Sequence, residues 1–335
     1  MQEFKHYQAA HCENGVTVGL LKQAGLEQIT EPLAFGIGSG LFYIEIPFLK
    51  LQSGPAISFR TFPGNIFKRT CKAFDVRLVT KKYRDEEKAM YELDALLEQG
   101  ISVGCQVGVF HLSYYPKQYR FHFNAHNLIV FGREGNDYLV SDPIMEETAV
   151  LSRQAMRKVR FAKGVLAPKG HIYYPTSIGE VTDDKLVAAI RTGIKRNCRD
   201  MLRIPGGVAG AKGINYTAKN IRKWRDKLGE RKAALYLGQI VRMQEEIGTG
   251  GGGFRYLYGA FLEEAAAITG KEELLIVSEK ITKAGDMWRD SAVQMAGIYK
   301  GRLSAQADYN HCADILNQIS AVEKEAFLQL DKIKI

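Results

Sequence analysis

The chain has 335 residues, of which 46% are apolar, and carries a net charge of +9. That length and apolar share suit two domains with cores of their own; the opening lacks a signal-peptide pattern and no run approaches the ~18 apolar residues of a membrane span, so a cytoplasmic, membrane-free protein is expected. The basic excess is spread over both halves and has no nucleic-acid module or interleaved stacking aromatics beside it, which argues against a nucleic-acid partner.

In chain order, His11-Cys12 opens an apolar helix over about 12 to 24. Gly36, Gly38 and Gly40 follow as a tight loop; with no strand before them and no helix after, they do not make a dinucleotide site. LFYIEIPF and a run near 56 to 62 read as strands. Residues 84 to 99 have early acids, apolar spacing near 3.6 and a stop at Gly100, which predicts a helix. ISVGCQVGVF, a hairpin beginning at His126 and a short run near His171 supply a sheet. From about residue 181 the pattern turns to long amphipathic stretches at 182 to 203, 216 to 247 with a break at Gly229, 254 to 269, 271 to 300 and 307 to 330. The expected division is therefore an α+β domain over 1–175 and an all-α helical domain over 176–335.

Five cysteines, Cys12, Cys71, Cys105, Cys198 and Cys312, are odd in number, far apart and free of any C-x-x-C spacing. Neither a disulfide framework nor a zinc site is expected, and no metal is assigned. Only Cys12 has chemical company. A thiol is nucleophilic as thiolate, and a helix start with a neighbouring imidazolium lowers its pKa from about 8.5. The imidazole is His126 in FNAHNLIVFG, and the orienting carboxylate is Asp142 in DYLVSDP. A turn at Gly132 to Asn136 folds the two runs into a hairpin, which brings the start of one strand beside the end of the other and sets His126 within reach of Asp142. Cys12, His126 and Asp142 are thus the predicted catalytic set, in the roles of nucleophile, base and orienting group.

These residues carry a family resemblance. Ala10-His11-Cys12-Glu13, the stretch from Glu31 to Phe42 that reads EPLAFGIGSGLF, and the later GGGGFRYLYGAFLEEA with Trp288 resemble the butirosin biosynthesis protein H family, both its amino-terminal domain and the helical domain that usually follows. The resemblance implies a papain-like thiol domain of the kind found in bacteriocin-processing peptidases. It also implies acyl transfer from a carrier-protein thioester, through an acyl-cysteine, to an amine of a small-molecule acceptor, as in antibiotic biosynthesis. The donor would be an acidic acyl carrier protein whose phosphopantetheine arm belongs to the carrier, so the enzyme itself needs no cofactor. Supporting roles are implied for His11 and Glu31. Papain-like peptidases place an oxyanion-hole glutamine well ahead of the cysteine; Gln8 is the nearby candidate and stands closer, so backbone N–H groups at Cys12 and Glu13 are the alternative donors.

Two other functions fit the same residues. Hydrolysis, as peptidase or thioesterase, differs only in whether water reaches the acyl-cysteine, and a binding module would carry the triad as a relic. Basic clusters at Lys81, Lys82 and Arg84, at Arg153, Arg157, Lys158, Arg160 and Lys163, and at Arg222, Lys223, Arg225 and Lys227 suit either a solvated helix face or a carrier-protein docking patch. The glycines Gly250 to Gly253 are either an interhelical loop or a set of N–H groups for a phosphate. The aromatic FRYLYGAF segment is expected to shape the acceptor pocket. The acyl group, the acceptor and the oligomeric state have no sequence signature.

Overall fold

The structure, a computed structural model, describes residues 4–51, 54–247 and 249–335. Its elements are α1 (Cys12–Gln23), α2 (Glu31–Ile37), β1 (Leu41–Leu51), β2 (Gly54–Arg60), α3 (Asn65–Ala73), β3 (Arg77–Lys81), α4 (Glu86–Glu98), β4 (Val103–Val107), β5 (His126–Glu134), β6 (Asp137–Ser141), β7 (Ala149–Ser152), α5 (Arg153–Arg160), β8 (Ile172–Ser177), α6 (Asp183–Leu202), α7 (Gly210–Leu228), α8 (Glu230–Val241), α9 (Arg255–Thr269), α10 (Glu273–Tyr299) and α11 (Gln306–Leu330). They form two compact units. The first comprises residues 1–34 and 66–182, the second 35–65 and 183–335.

The first unit is built on a six-stranded antiparallel sheet in the order β3-β8-β4-β5-β6-β7. Val103, Cys105, Leu128, Val130 and Val140 from its central strands are buried with Leu93 of α4 and Met156 of α5. Helix α1 is buried on every side from Cys12 to Leu21, its polar Glu13, Asn14 and Thr17 included, and it packs against β5. Small residues allow that contact. A Cβ added at Gly19 would lie 2.7 Å from Ile129 Cδ1, and one at Gly15 would lie 2.2 Å from the Pro143 Cβ. The predicted hairpin is present with a tighter turn than expected. Strand β5 runs on to Glu134, which pairs with Asp137, so the turn is Gly135-Asn136 alone, with Gly135 at φ 58.

The second unit corrects the expected division. Strands β1 and β2 pair as a separate two-stranded sheet and belong with the helices rather than with the first domain, so this unit is not all-α, and the change to helices falls after Thr182 rather than at 175. What draws the hairpin there is a buried polar and aromatic cluster. The Thr217 hydroxyl on α7 donates to Glu45 at 2.5 Å, Asn220 donates to the same carboxylate at 3.0 Å, and Tyr43 OH lies 2.6 Å from Thr217 Oγ1. The Tyr43 and Phe59 rings pack on Trp288 at 5.7 and 5.1 Å. Under them Arg255 makes a two-pronged ion pair with Glu323, at 2.8 Å on each prong, and both side chains are fully buried. A pair so placed must stay intact, since removing one partner strands the other charge in the interior.

In this unit the glycine tract takes one of its two expected roles and the expectation for Tyr258 is revised. The backbone N–H of Gly252 already donates to the Glu245 carboxylate and that of Gly251 to Thr249 Oγ1, so the glycine tract is a self-satisfied turn and not a phosphate cradle. Tyr258 is fully buried beside Phe261 and Phe327. It is a core residue, which removes it from the predicted acceptor pocket.

Candidate functional site

Cys12 is the first residue of α1, capped by His11, whose ring Nδ1 accepts from Asn14 N at 3.4 Å. Helix geometry leaves the Cys12 N–H with no acceptor inside the helix, and the positive end of the helix dipole lies at the sulfur. Glu31 at the start of α2 fixes this entry. Its carboxylate accepts from Ala10 N at 2.8 Å, His11 N at 2.9 Å and Asn14 Nδ2 at 3.4 Å. Burial raises the Glu31 pKa, while the Ala10 and His11 donors oppose that rise. The segment before the cysteine is tied to the end of β6 as well. His6 lies 2.8 Å from Ser141 Oγ and 3.0 Å from Met145 O, and Ala9 N donates to Pro143 O at 2.7 Å. Gln8 is exposed.

The β5–β6 ladder brings the other two predicted residues together. Ile129 pairs with Ser141, so Asp142 sits diagonally from His126, and His126 Nε2 lies 2.7 Å from Asp142 Oδ2. A carboxylate can only accept, so Nε2 carries a hydrogen and Nδ1 is the nitrogen left for the thiol. Burial favours the neutral ring, but Asp142 and then Cys12 outweigh it and push the His126 pKa up to about 10. An imidazolium beside Cys12 is the state that favours thiolate. The other four cysteines are fully buried, and burial pushes Cys105 up to about 11 and Cys71, Cys198 and Cys312 up to about 12.

Three residues at the site escaped the sequence reading. Tyr114 OH donates to Asp142 Oδ2 at 2.9 Å, and Tyr115 OH donates to the same oxygen at 3.1 Å while lying 3.2 Å from His126 Nε2. Burial and the Asp142 charge raise both phenols, which therefore stay protonated donors. Their only sequence signal is a Tyr-Tyr-Pro run in a long connection between strands. Asn127 directs Nδ2 at Cys12 Sγ, 3.9 Å away, and its Oδ1 accepts from Tyr173 OH at 2.8 Å. It follows His126 in a strand and reads there as one more buried ladder residue.

Five residues of the basic clusters are engaged within their own units. Lys81 pairs with Glu92, Arg153 with Asp94, Arg157 with Glu86 and Glu87, and Arg222 with Asp314, while Arg160 is buried on the carbonyls of Ala89 and Gly170. No helix among the described residues is long and apolar enough to cross a membrane.

Residues 11–143 match the family described as Butirosin biosynthesis protein H, N-terminal, and residues 154–330, more than half of the chain, match a domain of unknown function (DUF4872). The chain belongs to the butirosin biosynthesis protein H family. Cys12, His126 and Asp142 all lie within the amino-terminal match. Among solved structures, the chain is similar to a Bacillus anthracis protein described as a C39-like peptidase, at 11% identity and TM-score 0.37, over 53% of this chain and 96% of that one. No curated protein matches.

Proposed function

We propose that the protein is a cysteine-dependent acyltransferase of papain-like type, which takes an acyl group from a carrier-protein thioester onto Cys12 and passes it to an amine, forming an amide. Family membership supports a cysteine enzyme. The observation that carries the reading is the His126–Asp142 contact of 2.7 Å beside a cysteine at a helix start.

In this reading the imidazolium of His126 stabilises the Cys12 thiolate, which attacks the thioester carbonyl. The C–S bond to Cys12 forms as the carbonyl electron pair moves to oxygen; when the pair returns, the carrier thiolate leaves and takes its proton from His126. Exchange of one thioester for another is nearly balanced in energy, so the acyl-cysteine persists until an amine arrives. His126, now neutral, accepts the proton lost from the attacking amine and returns it to Cys12 as the amide leaves. Asp142, held by Tyr114 and Tyr115, keeps the ring oriented through the cycle.

The test supplies an acyl carrier-protein thioester with an isotopically labelled acyl group, with and without an aminoglycoside amine. A labelled amide that depends on the amine is expected. Labelled free acid alone, at the same rate with and without amine, would instead establish a thioesterase, and no turnover of either kind would overturn the reading.

A further inference from the structure

The exposed Gln8 leaves the negative charge that develops on the acyl oxygen without the side-chain donor that the sequence offered. The first unit contains another. Asn127 follows His126 on β5, is paired with Gln106 across the β4–β5 ladder and is buried, at 6% exposure. One N–H of its amide points at Cys12 Sγ from 3.9 Å and the other donates to Ala125 O at 3.1 Å. Which end of an amide faces a sulfur is normally ambiguous, but here a neighbour decides it. Ala125 O can only accept, so the end of the amide beside it and beside the thiol is the NH2 group, and Oδ1, turned the other way, accepts from Tyr173 OH at 2.8 Å. Tyr173 is itself fixed: it pairs with Gly104 across the ladder, where a Cβ would lie 2.5 Å from its ring, and it packs on Phe67 at 4.8 Å.

We propose that the Asn127 amide, locked by Tyr173, is the side-chain donor of an oxyanion hole whose second donor is the Cys12 backbone N–H. This assignment rests on the proposed acylation of Cys12. The oxygen that becomes negative is bonded to the carbon that the sulfur has just attacked, two bonds from Sγ. A donor already aimed at Sγ therefore needs only a small shift to reach that oxygen as charge moves to it from the thiolate. A preorganised amide needs no reorganisation at that moment, which is why such donors are effective. Asn127 is thus a catalytic residue, and Tyr173 positions it.

Two reactions of the same sulfur separate this role from a general one. Displacement of iodide from iodoacetamide creates no oxyanion; acylation by the thioester S-acetyl-N-acetylcysteamine does. Asn127→Ala is expected to slow acylation by about 10²–10³-fold and alkylation of Cys12 by far less. Tyr173→Phe, which removes one hydroxyl and guards against a folding failure at Asn127, is expected to lower the maximal acylation rate while the half-saturating thioester concentration holds. Acylation and alkylation falling together would assign Asn127 to thiolate stabilisation or to structure, and unimpaired acylation in the variants would remove it from the site; either overturns the proposal. A wild type that is alkylated but never acylated by any thioester would overturn the proposed function and this assignment with it.

Discussion

A Cβ built on Gly15 would stand 2.2 Å from the Cβ of Pro143, and this contact fixes the start of α1 against the end of β6. Gly15 is three residues beyond the nucleophile candidate and Pro143 is next to Asp142, so the absence of one methyl group lets a helix end and a strand end meet. Gly15→Ala should therefore cost up to about 2 kcal/mol net, because overpacking of about 1–3 kcal/mol is offset by a helix-propensity gain of about 1 kcal/mol. Gly19→Ala, which meets only the flexible tip of Ile129 at 2.7 Å, should cost less. Denaturant titration measures both, and a Gly15 variant as stable as wild type would show that this contact does not set the helix position.

His126 gives a pH signature with a definite sign. Its pKa is raised from 6.5 to about 10, with burial opposed by Asp142 and Cys12. Because the folded value is the higher one, the stability that the ring proton contributes is complete below about pH 6.5 and is lost as pH rises through about 10. The stability gap between wild type and His126→Gln should shrink over that window. Nitrogen-15 spectra should find both ring nitrogens protonated at pH 8; a ring with one N–H at that pH contradicts the ion-pair account.

The tyrosine pair predicts a graded series. Tyr115 touches both Asp142 and His126, whereas Tyr114 touches Asp142 only. Loss of a hydrogen bond to a charged group removes about 1.5–3 kcal/mol, so Tyr115→Phe should reduce kcat more than Tyr114→Phe, and the double variant should approach Asp142→Asn, which keeps measurable activity. His126→Ala should abolish turnover, since it removes the base itself. Equal kcat in all three tyrosine variants would separate these hydroxyls from catalysis.

Thiol labelling should be selective. Cys12 retains 8% exposure, while Cys71, Cys105, Cys198 and Cys312 are fully buried and held protonated at neutral pH. Iodoacetamide at pH 7.5 should add one carbamidomethyl group to the native protein and none to Cys12→Ala. A second group on the folded wild type would contradict this environment.

How far the sequence could be read follows from which physics acts locally. Helix α4 was legible because its acids, apolar period and the terminating Gly100, at φ 74, all lie within one segment. The nearness of His126 and Asp142 was legible because the two residues flank one short hairpin almost symmetrically, although the turn proved shorter than the Gly132 to Asn136 expected. The home of the β1–β2 hairpin was not, since the strands have ordinary alternation and only the Thr217, Asn220 and Trp288 partners, far along the chain, decide which body they join. Asn127, Tyr114 and Tyr115 were hidden for the same reason. Their value lies in which side chain they meet across the fold, and no local period records that.

The central claim is that Cys12 becomes acylated, and intact-mass measurement after brief exposure to an acyl carrier-protein thioester, without acceptor, tests it most directly. The account predicts wild-type protein heavier by one acyl group, sensitive to hydroxylamine, with no adduct on Cys12→Ala and a strongly slowed one on His126→Ala. An adduct of the same mass and rate on Cys12→Ala would contradict it.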